Sequence, residues 1–117
     1  MKFVLHILAS PYSVSAQSPI RFAQAALRQN HQITGIFFSA EAVQLAHPLA
    51  EPLPEEYPLA ETWLVLAEQN QIPLWICVTA GVRRGIVEPA VRKGFIIAGL
   101  GQLITATVEG DRLLTFN

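Results

Sequence analysis

Cysteine and aspartate each occur once in these 117 residues, and each scarcity excludes something. With Cys77 alone, no disulfide can close within the chain. The one aspartate, Asp111, stands in an expected turn, which leaves no Ser-His-Asp arrangement to pursue. Charge is thin as well: Asp, Glu, Lys and Arg make up 15% of the residues, against a usual share of about 25%. The net charge is −1, so no global basic field exists to hold nucleic acid, and no direct nucleic-acid contact is expected. No apolar run reaches the roughly 18 residues of a membrane span. The stretch Met1 to Ser10 is too short in its apolar part for a signal peptide and fits a first strand better. There is no Walker A sequence. Gly99-Leu100-Gly101 begins like a dinucleotide fingerprint, but Ile104 occupies the place of the third glycine. His6, His31 and His47 are scattered, with no carboxylate or cysteine at ligand spacing, so neither a metal nor a cofactor is expected.

What is present is apolar: 51% of the residues are hydrophobic. The length suits one domain, residues 1–117, with one core. A domain this small cannot bury all of that apolar surface alone, which points to a subunit of an oligomer. The single cysteine and the lack of a targeting signal point to a reducing cytoplasm. Arg83, Arg84, Arg92 and Lys93 cluster after Cys77, while Glu41, Glu51, Glu55, Glu56, Glu61 and Glu68 fill the middle third. Two ordinary solvated faces and two functional ones both fit that distribution.

Phe3 to Leu8 reads as a buried strand, broken by Ser10-Pro11-Tyr12-Ser13. A helix follows, with Ser18 as its cap, Pro19 in its first turn, and Ile20, Ala23 and Leu27 at helical spacing. Ile33 to Phe38 is a second strand. Ala40 to Ala46 suits a short helix, and Pro48, Pro52, Pro54 and Pro58 forbid a long one. A helix from about Pro58 to Asn70 places Leu59, Trp63, Leu66 and Ala67 on one face. Leu74 to Val78 is a third strand, Thr79 to Gly85 a glycine-bearing turn, and Gly94 to Gly99 a fourth strand. The tail from Leu103 to Phe116 fits either a hairpin turning at Glu109-Gly110-Asp111 or a helix. Strands alternating with helices indicate a parallel sheet covered on both faces.

Cys77 closes the third apolar run. Ligands and chemistry in open α/β sheets gather outside the carboxyl ends of the strands. A free cysteine there is either a small core hydrophobe or a reactive thiol. Arg83 and Arg84 are candidates for stabilising its thiolate, because cations near a thiol favour the charged form. The N–H groups at a following helix start would act in the same sense. By elimination, this thiol is the one plausible chemical group in the sequence.

Several segments together resemble the DsrE-like sulfur-relay family, most closely its TusD subunits, which serve 2-thiouridine formation in tRNA. They are Arg21-Phe22-Ala23-Gln24-Ala25, Phe37-Phe38 leading to Glu41-Ala42-Val43, and Ile76-Cys77-Val78 with Arg83-Arg84-Gly85. Gly94-Phe95, Ala98-Gly99-Leu100-Gly101, Asp111-Arg112 and Pro11-Tyr12 complete the match, which runs nearly end to end. The resemblance implies a single three-layer Rossmann-like or flavodoxin-like α/β domain with a mainly parallel sheet of about five strands. It also implies that the tail is a helix followed by a last strand. It implies a sulfurtransferase in which Cys77 accepts a persulfide sulfur from a TusA-like donor and passes it to a TusE-like acceptor. TusB-like and TusC-like paralogues would complete a heterohexamer, with a homo-oligomer possible for the isolated chain. A subunit of a sulfur-oxidation relay and a structural subunit with a core cysteine are the rival readings, beside a small-molecule binding domain. Two departures from the family pattern stand out: a shorter segment from Arg84 to Gly94, and Ser39-Ala40 in place of aromatic and polar residues.

Overall fold

The apolar runs become five strands in a computed structural model that describes residues 1–117. They are β1 (Lys2–Ile7), β2 (Gln32–Phe38), β3 (Leu74–Cys77), β4 (Phe95–Ala98) and β5 (Arg112–Phe116). They form one sheet in the order β4-β3-β2-β1-β5, and every neighbouring pair is parallel. The helices are α1 (Gln17–Arg28), α2 (Leu59–Asn70), α3 (Val78–Arg83) and α4 (Leu100–Glu109), with a 3₁₀ segment at Ala40–Ala46. From β1 to β4 the chain steps in one direction across the sheet. It then returns to the far edge for β5. Right-handed crossovers therefore put α1 and α2 on one face and α4 on the other.

Side chains mark the two faces. Phe3 meets Phe22 of α1 edge-on at 5.3 Å between ring centroids, and Phe38 meets Trp63 of α2 at 5.7 Å. Val4 lies beneath Gly110, at the end of α4. Because residues alternate along a strand, Phe37 and Ser39 share the α4 side with Val4 and His6. Trp75 is on that side too, with its ring against Gly35. A Cβ at Gly35 would come within 2.2 Å of that ring, so only glycine fits. Trp63, Phe37, Phe38 and Leu5 are the largest fully buried side chains of a continuous apolar core.

Three local expectations change. Ser18 does not cap α1, which starts a residue earlier. The Ser18 N–H donates to the Ser15 carbonyl at 3.2 Å, so a preceding turn satisfies that donor without a side chain. The strand expected to reach Val78 stops at Cys77, and the expected turn after it is α3. Gly81 is helical there because α3 packs tightly: a Cβ would meet the Ile86 carbonyl oxygen at 2.6 Å. The turn comes later, at Gly85, with φ +72°. In the tail, the helix and last strand that the resemblance implied are α4 and β5, and the parallel pairing of β5 with β1 rules out the hairpin.

Candidate active site

Cys77 ends β3, pairs with Ala98 of β4, and is the residue before α3. The register places its side chain on the α4 side of the sheet, along with Trp75. It is 9% exposed, a free thiol just beneath the surface. Its successor Val78 is exposed, as is Leu100 after β4. The position is at the carboxyl end of the sheet, as the sequence suggested. It is not at the topological switch point, which lies between β1 and β5, two strands away.

The basic cluster of the sequence is dispersed by the fold. Arg84 turns back to the 3₁₀ segment. Its Nε donates to Glu41 Oε1 at 3.1 Å, and its Nη2 contacts the same oxygen. Its Nη1 donates to the Ala80 carbonyl at 2.9 Å. The hydrogen bond from Arg84 holds the Glu41 carboxyl below its usual range, aided by the guanidinium charge and by Gln44. Arg83 is exposed and lies six residues along α3 from Cys77, about 9 Å of helix rise. Arg92 points into the loop after the 3₁₀ segment, where its Nη2 donates to the carbonyls of His47, at 3.3 Å, and Ala50. Lys93 faces solvent. Arg84 thus braces the two segments that follow β2 and β3, while Arg83 stays free on the surface.

The histidines also separate. His31 Nδ1 meets the N-terminal amine at 3.0 Å, and His47 Nδ1 accepts from the Leu49 N–H at 3.1 Å. His6 is half-buried, edge-on to Phe37, with Nε2 2.9 Å from Ser39 Oγ. Burial pushes the His6 imidazole below its usual value. Ser39 is one residue beyond the Phe38–Ile76 pair, as Cys77 is on β3, so both follow the last pair of the β2–β3 ladder. Reading the sequence by function did not single out this pair. Its only signal was a histidine inside one apolar strand and a serine directly after the next.

A family model described as the DsrE/DsrF-like family matches residues 1–116. A protein named sulfurtransferase TusD from Enterobacter sp. is 34% identical, over 99% of this chain and all of its own. The TusD of Serratia proteamaculans is 38% identical over 86% of this chain and 87% of its own. The DsrE protein of Allochromatium vinosum is 38% identical over 99% and 98%. Among solved structures, the YchN protein of E. coli superimposes with a TM-score of 0.79 at 24% identity, over 99% of this chain and all of that one. That likeness concerns the fold, and it agrees with the parallel sheet found here. By the extent of the family match and the identity to its relatives, the chain belongs to the DsrE/DsrF-like family.

Proposed function

We propose that residues 1–117 are one sulfurtransferase domain of a sulfur relay, with Cys77 as its persulfide carrier. The observation that supports this most is the place of the only thiol: the carboxyl end of a central-sheet strand, in a chain of this family. In the forward step the Cys77 thiolate attacks the terminal sulfur of a donor persulfide. A new S–S bond forms at Cys77, the donor S–S bond breaks, and the electron pair leaves with the donor thiolate. In the onward step an acceptor thiolate attacks the outer sulfur of Cys77-S-SH, and Cys77 leaves as thiolate. Sulfur is passed without net oxidation.

The donor in this reading is TusA-like, the acceptor TusE-like, and the destination 2-thiouridine in tRNA, in the cytoplasm. The DsrE relative matches at the same identity as the better TusD relative, which keeps a sulfur-oxidation relay as the second reading. Arg84 serves as a positioning residue, holding α3 through Glu41, and Arg83 serves a partner surface. Assembly with TusB-like and TusC-like paralogues accounts for an exposed apolar line on α4. Leu100, Ile104 and Val108 recur every fourth residue and are 58%, 64% and 79% exposed.

The test is direct. Incubate the protein with a persulfide donor that loads a control carrier, then map adducts by mass spectrometry. A one-sulfur adduct on Cys77, absent from Cys77→Ser, is expected. No adduct on Cys77 with a competent donor removes the carrier role and favours a structural cysteine.

A further inference from the structure

Ser39 is the only polar or charged side chain that the fold buries, at 9% exposure. A hydroxyl out of water is costly unless it is hydrogen-bonded. Its protein partner is His6 Nε2, at 2.9 Å. A hydroxyl has one donor and two acceptor sites, so this contact leaves capacity over. Burial lowers the His6 pKa and so favours its neutral form. If Nε2 carries the ring proton, the Ser39 proton is left without a partner in the fold. Phe38–Ile76 is the last pair of that ladder, and Ser39 and Cys77 are the residues that follow it, at the ends of strands about 4.8 Å apart. Both side chains are on the α4 side of the sheet, with Phe37 and Trp75.

We propose that His6 and Ser39 are positioning residues for Cys77: His6 Nε2–H donates to Ser39 Oγ, and Ser39 Oγ–H donates to the Cys77 thiolate. The inference rests on the sulfur-carrier reading of Cys77. In the structure the hydroxyl is engaged with His6, and the second bond forms when the thiol ionises. No covalent bond forms or breaks at either residue. The proton lost by Cys77 ends on the departing donor thiolate. Donor chains of this kind strengthen one another in a low-dielectric setting. Few charges compete with the pair. β2 presents Phe37 opposite His6, with Ser39 just beyond its end; β5 presents Thr115 opposite His6, and β4 presents Ala98 opposite Cys77. The titratable residue of α4 is Glu109, at its far end, and β5 begins with Arg112 next to Asp111. On α3 the titratable residues are Arg83 and, just after it, Arg84, which is bonded to Glu41 of the 3₁₀ segment.

The experiment measures the rate of Cys77 alkylation by iodoacetamide against pH, and sulfur uptake from a persulfide donor, on the full chain. Ser39→Ala is expected to move the midpoint of the alkylation profile up by about one pH unit. Ser39→Thr should keep the midpoint, because the hydroxyl remains. His6→Phe should move it in the same direction as Ser39→Ala, and the double variant should move it no further than Ser39→Ala alone. Thermal melts confirm that each variant is folded. Should Ser39→Ala not fold, His6→Phe decides by the same profile. Profiles that superimpose on the native one overturn the inference. If Cys77 still takes up sulfur in that case, the carrier reading survives without the pair. If the profiles shift but Cys77 takes up no sulfur, the pair stands and the carrier reading falls.

Discussion

Arg84 shows at the residue scale how a sequence neighbour can differ from a spatial one. It follows Cys77 by seven residues, yet its hydrogen bonds go to Glu41 and to the Ala80 carbonyl. A guanidinium so engaged acts on the thiol mainly through the segments it joins. Arg84→Ala is therefore expected to lower the rate of sulfur uptake at every pH tested, with little change in the pH midpoint. A midpoint shift as large as that of Ser39→Ala would instead make Arg84 a direct partner of the thiolate. The Glu41 end has its own signature. Its folded pKa lies below the unfolded value, so the pair adds stability above the unfolded value. That stability is lost as pH falls through the folded value. Glu41→Gln should remove this part of the acid dependence of the melting temperature, measured from neutral pH downward. The effect is small, because the carboxylate is exposed and screened.

Two elements carry most of what can be tested by packing. On β2, Gly35 lets the Trp75 ring rest against the strand, and a methyl group there forces the ring away. Gly35→Ala should cost roughly 1–3 kcal/mol, read from denaturant melts. It should also disturb Cys77, two residues beyond Trp75 on the same side. A melt unchanged within error would mean that the ring moves at no cost. On α4, Leu103 and Ala106 face inward and are buried, while Leu100, Ile104 and Val108 face out. The outer line is mostly exposed in one chain, so it contributes less to the fold than Leu103 and Ala106. Ile104→Glu should leave the melting temperature of the monomer nearly unchanged and reduce association, followed by light scattering. Association equal to that of the native chain would take α4 out of the interface.

For the whole molecule, the low charge content and the exposed apolar line agree. With 15% charged residues, the surface lacks the polar groups to cover a domain of this size. The isolated chain is expected to form a homo-oligomer at micromolar concentration. In the presence of the paralogues proposed as its partners it should form a mixed assembly, because related folds offer complementary faces. Sedimentation of the chain alone and then with those partners distinguishes the two. A monomer in both cases would contradict the subunit reading and leave the apolar line unexplained.

The four strands up to β4 and the helices α1 and α2 were legible in the sequence, since buried parallel strands read as short apolar runs and α1 and α2 repeat their apolar residues at helical spacing. So was the one thiol at a strand end. The α3 helix was not, because Gly81 looks like a turn residue until the Ile86 carbonyl lies against it. The tail was undecided by pattern alone. Its apolar spacing served both a hairpin and a helix, and only pairing of β5 with β1 separates them. Tertiary structure alone joined His6 to Ser39, 33 residues apart, and Glu41 to Arg84, 43 apart. The physical reason is the same in both cases. Local periodicity fixes which residues form a strand or helix, whereas side-chain partners across strands follow from sheet order and register. Those depend on the burial of the whole chain at once.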